Sequence, residues 1–321
     1  MRVACAVMQR DEDLVLDGWC RYHGSLFGYE NLYIFDNGST NSVVLDALTK
    51  YHRLGCSVVT EHVGPRGFED KGEIIGRLFH QLRSEGSYDF FLPLDCDEFI
   101  SVLQGPAVSF QKKDIEAQLS RFIGCPDTIK IIDEFANSPQ YPGYFLRKPA
   151  NKTAYAAQSF QKLDHGYHHP GTATGEMVPS SLVHIHFHNK PFERTLADAR
   201  RKLIGHGVDV NDIAVIENLK HSTHLISYFK MTEVDFYKSF LDRLHFPATG
   251  FPQRMIDLGV SSPLLTEMPR DDEPPHILPL DFDSAEYLTK YPDVAAAGFE
   301  AARHYMLFGF AEGREVPIRH R

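Results

Sequence analysis

Over its first hundred residues the chain alternates short apolar runs with stretches whose apolar side chains recur at helical spacing. Residues 2 to 8 read as a buried strand, and Val15, Trp19, Tyr22, His23 and Leu26 then repeat along one helix face. Asn31 to Phe35 forms a second strand, closed by the turn sequence Asp36-Asn37-Gly38-Ser39-Thr40, which also offers a helix cap. A helix over Ser42 to Tyr51, a strand over Ser57 to Val63, a helix over Asp70 to Arg83 and a strand over Phe90 to Leu94 follow. Strands joined by helices need crossover connections, so the expected class is α/β: a mainly parallel, Rossmann-like sheet flanked by helices.

Ligands of such sheets bind beyond the carboxyl ends of the strands. Three polar clusters fall there: Arg10-Asp11-Glu12, Asp36-Asn37-Gly38-Ser39 and Asp95-Cys96-Asp97. The last is the sharpest, because the apolar run Phe90 to Leu94 stops abruptly at three carboxylates, Asp95, Asp97 and Glu98. A backbone turn there can bring Asp95 and Asp97 to one hard cation, Mn²⁺ or Mg²⁺, with positions left for phosphate oxygens.

Farther along, Thr128 to Ile132 reads as a strand ending at Asp133-Glu134, and Gly143 to Gly175 as a loop-rich region carrying Lys162, His165, His168 and His169. Ser181 to His188 alternates apolar residues with histidine, which as a strand puts His184, His186 and His188 on one face. A helix is expected from Pro191 to Leu203, with helical patterns continuing to about Leu258. Pro269, Pro274, Pro275 and Pro279 with Asp271-Asp272-Glu273 mark residues 263–279 as a linker. The expected division is a catalytic domain over 1–205, a helical extension over 206–262, the linker, and a small helical tail module over 280–321. So short a tail cannot hold a core of its own and docks on the main domain or a partner. Its removal is expected to leave the chemistry intact.

The net charge of −10 argues against nucleic acid as the main partner. Cys5, Cys20, Cys56, Cys96 and Cys125 are scattered, with no Cys-x-x-Cys, so neither a disulfide framework nor a cysteine zinc site is indicated. No signal-like or membrane-spanning run is visible. The expected compartment is the cytoplasm, with peripheral membrane association compatible.

In order and separation, Asp36-Asn37-Gly38-Ser39-Thr40 and Asp95-Cys96-Asp97-Glu98-Phe99 resemble the motifs of bacterial family-2-like glycosyltransferases of the GT-A fold, related to family 92, over residues 1 to about 205. The stretch from Asp11-Glu12 through Trp19, Tyr22 and His23 is similar to that family's opening helix, usually introduced by Asn-Glu; here Asp11 stands in place of the Asn. The resemblance implies a metal-dependent, inverting hexosyltransferase of bacterial polysaccharide biosynthesis. Its donor would be a nucleotide sugar, a UDP-sugar, and its acceptor a glycan, a lipid-linked glycan or another hydroxyl compound.

By position, Glu12 and Asp36 would meet the base or ribose, and Asp95 and Asp97 would form the Asp-x-Asp metal motif, Asp97 binding the metal directly and Asp95 meeting the donor's ribose or a metal-bound water. His186 to Phe192 partly resembles a His-containing Lys-Pro-Trp segment, which implies His186 as the remaining metal ligand, ahead of His188 and His184, and Lys190 near phosphate. Lys71 and Arg77 are further candidates for the diphosphate. Inverting transfer needs a base for the acceptor proton. Glu134 and Asp133 are the first candidates, with His165, His168 and Glu176 behind them. Tyr287 to Arg314 is similar to a short module at the ends of some bacterial glycosyltransferases, implying oligomer or partner contacts. Two other readings compete: a zinc hydrolase built on His184, His186 and His188, and a nonenzymatic nucleotide- or glycan-binding protein.

Overall fold

The structure, a computed structural model, describes residues 1–105, 107–205, 208–210, 223–279 and 281–318. Its first half is a parallel sheet of β1 (Val3–Gln9), β2 (Leu32–Asp36), β3 (Ser57–Val59) and β4 (Phe90–Pro93) in the order β3-β2-β1-β4. Every residue of β1 is buried, as a strand covered on both faces must be. Alternation sorts its side chains. Cys5 and Val7 join Trp19 and Tyr22 of α1 (Leu16–Phe27) in one core cluster. Ala4, Ala6 and Met8 face the other way. Between β2 and β4 come α2 (Ser42–Arg53), α3 (Gly64–Glu69) and α4 (Lys71–Glu85). Ile75 and Phe79 of α4 pack with Ala4, Ala6 and Met8, and Phe79 stacks on Phe91 at 4.5 Å.

β1 is where the winding reverses: β2 lies on one side and β4 on the other. The crevice beyond their carboxyl ends is where ligands of such sheets bind.

The second half extends the same sheet through β5 (Glu98–Gln104), β6 (Ala107–Ser109), β7 (Thr128–Asn137), β8 (Tyr144–Ala156), β9 (Met177–Pro179) and β10 (Leu182–His186), in the order β4-β8-β7-β10-β5-β6 with β9 beside β7. Here the pairing is mixed: β8 is antiparallel to β4 and β7, and β10 is parallel to β7 but antiparallel to β5. α5 (Lys112–Ser120) follows β6. The segment expected as loops from Gly143 contains β8, a strand of thirteen residues. Pro149 lies within it, opposite Asp133, where the register shifts between Ile131 and Asp133. A proline supplies no N–H to the ladder and reads in sequence as a strand breaker. The strand expected to stop at Ile132 runs on to Asn137, so Asp133 and Glu134 stand inside β7 on opposite faces.

α6 (Phe192–Gly205) is followed by helices Thr223–Lys230, Glu233–Leu241 and Gly250–Asp257. The helical extension expected over 206–262 falls in part on residues 206–207 and 211–222, outside the described residues. Within the proline-rich stretch, Pro263–Thr266 forms one helical turn with Pro263 at its start, where a missing N–H is harmless. No described helix is long and apolar enough to cross a membrane.

The tail helices Ser284–Lys290, Pro292–Ala296 and Ala301–His304 dock on the main body. Tyr287, Val294, Ala302 and Tyr305 share one buried cluster with Trp19 and Phe99. Arg303 Nε lies 3.1 Å from both carboxylate oxygens of Asp133, and Arg147 donates to the same carboxylate at 2.8 and 3.0 Å. Asp133 is fully buried, and a charge so placed needs such partners.

Two core histidines set an acid limit on the fold. His23 lies in α1 between the carbonyl of Trp19, 3.0 Å from Nδ1, and the Ile100 N–H, 3.4 Å from Nε2. Burial pushes its pKa down to about 3, and that of His245 down to about 4. Both are neutral in the fold, while the unfolded chain takes up their protons near pH 6.5. Their stabilisation is therefore present above pH 6.5 and lost as pH falls toward 4, at about 1.4 kcal/mol per pH unit for each. Denaturant unfolding between pH 6.5 and 4.5 should show a loss of several kcal/mol; a flat profile would contradict this assignment.

Candidate functional site

The loops after β1 and β2 are tied to each other. Asp11 takes a left-handed backbone, φ 55°, which Asp tolerates better than most residues. Its Oδ1 accepts from the N–H groups of Thr40 and Asn41 at 2.7 and 2.9 Å. Burial by itself would raise its pKa, but those two N–H groups, with Arg10, hold it low. Asp36, at the end of β2, accepts from Gln9 at 2.6 Å and from the Ser39 hydroxyl and N–H at 2.5 and 3.0 Å. Beside these loops Asp11, Thr40 and Asn41 line a cleft of about 420 Å³, walled on its other side by Arg194, Asp198 and Arg201 of α6.

At the end of β4 the chain turns through Asp95-Cys96-Asp97 into β5, and the end of β10 lies against that turn: Phe187 N donates to the Asp97 carbonyl at 2.8 Å. This brings Asp97, His186 and His188 together, each with one donor atom within 4.8 Å of the others. His186 Nε2 is 3.4 Å from Asp97, while its Nδ1 is 3.1 Å from Glu134 across the sheet. Burial alone would raise Asp97, yet the charge and hydrogen bond of His186, with His188 and Lys190, hold its carboxyl well below the usual range. Burial alone would lower His186, yet Asp97 and Glu134 raise it well above the usual imidazole value. Glu134 is also held low: burial opposes this, and the two imidazoles beside it, His184 at 3.9 Å and His186 bonded to it at 3.1 Å, overcome it with Lys148. An imidazole with a carboxylate behind one nitrogen and an anionic ligand before the other is the arrangement that orients metal-binding histidines.

A deeper group, Glu98, His184 and His186, also has donor atoms within 4.8 Å of one another. It already holds a cation, because Lys152 is 3.0 Å from Glu98. His184 is fully buried and makes no hydrogen bond; its Nε2 is 3.5 Å from Glu98 and 3.9 Å from Glu134. The rim group, with His188 exposed, is the one open to an ion.

Lysines surround both groups. Lys71 and Lys152 clamp Asp95 at 2.9 and 2.6 Å, and both ammonium groups sit over the ring of Tyr167, at 4.7 and 5.2 Å from its centroid. Burial opposes ionisation of Asp95, but the two lysines hold its pKa below the ordinary range. Lys190 spans Glu12 and Asp198 at 2.9 and 3.0 Å. Glu12 is raised, by burial first, with Lys190 opposing and Asp97 adding.

The structure thus gathers Glu12, Lys71, Asp95, Asp97, Glu134, His186 and Lys190 around one crevice, with Asp36 bracing its edge. Asp133 is not among them. Its side chain points to the opposite face of β7, sealed between Arg147 and Arg303, where it cannot meet a substrate proton. Arg77 pairs with Glu73 on the exposed side of α4, and His165 and His168 belong to an exposed loop. Sequence reasoning missed Lys152, Asp198 and Tyr167, and gave Glu98 no role. Lys152 was hidden in the segment expected as loops; it stands inside β8, opposite Ile131, in a strand whose pattern Pro149 masks.

No protein-family model matches the chain, and no curated protein matches it. Among solved structures it is similar to S. aureus TarS, with a TM-score of 0.35 and 11% identity over 82% of this chain and 50% of that one. The chain therefore spans about half the length of that protein. It also matches glucosyl-3-phosphoglycerate synthase from Mycobacterium tuberculosis in complex with phosphoglyceric acid, with a TM-score of 0.35 and 14% identity over 64% of this chain and 78% of that one. A third match is TarS 1-349 in complex with UDP, with a TM-score of 0.35 and 10% identity over 100% and 97% of the two chains. Likenesses this weak leave function to be argued from the site.

Proposed function

We propose that the chain is a metal-dependent glycosyltransferase of the GT-A type, transferring a sugar from a nucleotide-sugar donor, a UDP-sugar, to a hydroxyl acceptor. The observation that carries this is the meeting of Asp97, His186 and His188 at the carboxyl end of β4, beside the cleft of Asp11, Thr40 and Asn41, at the point where the sheet reverses its winding. The donor set fits a divalent ion, and its two imidazoles favour Mn²⁺ over Mg²⁺. When bound, the ion supplies positive charge for the diphosphate that leaves.

The chain's own groups do the rest. Glu134 accepts from His186 Nδ1 and holds the ring so that Nε2 faces Asp97. That role suits it better than general base, since a carboxylate held so far down has little proton affinity. Lys71 and Lys152 fix Asp95 at the turn, and Lys190 places a cation between Glu12 and Asp198. In the transfer, the acceptor oxygen bonds to the anomeric carbon as the bond from that carbon to the diphosphate oxygen breaks, the diphosphate leaves with the bond's electrons, and the hydroxyl proton passes to a base. Inversion, a hexose donor and a glycan acceptor rest on the sequence resemblance alone, and a cytoplasmic setting on the scattered cysteines. A zinc hydrolase would leave the cleft at Asp11 and Asn41 without a role.

Calorimetry with UDP tests the site. Binding should require Mn²⁺, and His186→Ala should weaken it roughly 10–100-fold, more than His184→Ala does in a folded variant. UDP affinity indifferent to Mn²⁺, or equal small effects of the two substitutions, would remove the ion from this place.

A further inference from the structure

The deeper group of Glu98, His184 and His186 has the donor set of a metal site, and an ammonium sits against it. Lys152 Nζ, itself buried, lies 3.0 Å from Glu98 Oε1, the same oxygen that is 3.5 Å from His184 Nε2. The other oxygen of Glu98 accepts from Asp95 N at 3.0 Å. The carboxylate therefore gives one oxygen to the backbone turn and the other to the cation. Neither ring nitrogen of the buried His184 has a hydrogen-bond partner among the described residues. A neutral imidazole carries a proton on only one nitrogen, so this ring keeps a lone pair that nothing uses.

The two groups share one ring, because His186 belongs to both. An ion at the rim, beside exposed His188, is open to a diphosphate; an ion among Glu98 and His184, both buried, is sealed from it. We propose that Lys152 is a positioning residue for the ion: its ammonium fills the deeper group and so confines a divalent ion to Asp97, His186 and His188. This rests on the glycosyltransferase reading above. Removing the ammonium is felt mainly at Glu98. Asp95 keeps Lys71 at 2.9 Å, whereas Glu98 is left with the Asp95 N–H and the unbonded ring of His184. A buried carboxylate that loses its cation is costly. Two imidazoles and a carboxylate in a closed place then bind a divalent metal, which draws His186 and the ion away from the donor.

The test is Mn²⁺ binding to the full chain, read from the paramagnetic resonance of the free ion, in wild type and in Lys152→Met, each alone and combined with His184→Ala or His188→Ala. In wild type, His188→Ala should weaken Mn²⁺ binding at least about tenfold and His184→Ala less than about threefold. In Lys152→Met the order should reverse, His184→Ala costing at least about tenfold and His188→Ala less than about threefold. Lys152→Met should also bind Mn²⁺ at least as tightly as wild type yet hydrolyse donor at least about tenfold more slowly, a split that mere loosening of the fold would not give. Lys152→Arg keeps a permanent cation and should keep the wild-type order. Lys152→Gln repeats the test with a polar side chain, and Mn²⁺ should raise the unfolding temperature of both uncharged variants unless His184 is also replaced. Wild-type dependence on His188 in a folded Lys152→Met or Lys152→Gln chain, a reversal in Lys152→Arg as well, undiminished donor turnover in the uncharged variants, or uncharged variants that stay unfolded even with Mn²⁺ would overturn the proposal. A wild-type chain that binds no Mn²⁺, with or without UDP, would instead sink the metal reading of the rim, and the role of Lys152 with it.

Discussion

Asp97→Asn should reduce metal-dependent donor turnover by about a thousandfold or more while leaving the chain folded. Asp97 is the one anionic member of the rim group, and an amide in its place gives the ion a neutral ligand. An ion that stabilises a departing diphosphate supplies several kcal/mol, and each 1.36 kcal/mol is about tenfold in rate. The fold should survive because the turn is held by backbone, through Phe187 N on the Asp97 carbonyl. Steady-state hydrolysis with Mn²⁺, beside a thermal unfolding curve, reads both parts. A folded variant with unchanged rate and Mn²⁺ dependence would refute the ligand assignment.

Deleting residues 276–321 is expected to leave an insoluble or unfolded chain, against the expectation that the proline-rich stretch isolates the tail. Tyr287, Val294 and Tyr305 are buried in the main core, and burying each large apolar side chain contributes roughly 1.5–3 kcal/mol. Arg303 goes with them, which leaves Asp133 to Arg147 alone. Together these match the whole stability of a typical domain, about 5–15 kcal/mol. Arg303→Ala alone should be milder, because Arg147 still holds Asp133. Solubility, size-exclusion behaviour and unfolding temperature of the truncated chain decide the point; a soluble truncation that melts like the full chain would restore the tail to a separate module.

The parallel half of the fold was legible where β1, β2 and β4 are apolar runs and α1 and α4 keep an apolar stripe, and less so at β3, which stops at Val59, and at α3, which buries none of its residues. Local pattern and tertiary environment agree there. The mixed half was legible only in part. β8 carries Pro149 and Lys152, residues that local propensity places outside strands; burial against β7 and pairing of Lys152 with Asp95 and Glu98 overrule that propensity. That the tail docks was expected from its size, but its contact with β7 was not: Arg303 looks like a surface charge until its partner, Asp133, is found 170 residues away. In the candidate site, Asp97 and His186 were readable because chemistry-bearing residues stand at the ends of apolar strands. The division of labour between Asp133 and Glu134 was not, because the extent of β7, which sends them to opposite faces, depends on its pairing with β8 and β10.

The proposed function turns on one ion, held by Asp97 with the histidines at the end of β10, serving a nucleotide sugar bound in the crevice. A panel of nucleotide sugars assayed for donor hydrolysis with Mn²⁺, with Mg²⁺ and with chelator tests it most directly. Turnover of at least one UDP-sugar is expected, strongest with Mn²⁺, abolished by chelator and restored by adding the metal back; turnover that persists undiminished in chelator, or none with any donor in a folded, Mn²⁺-loaded chain, would rule such an ion out.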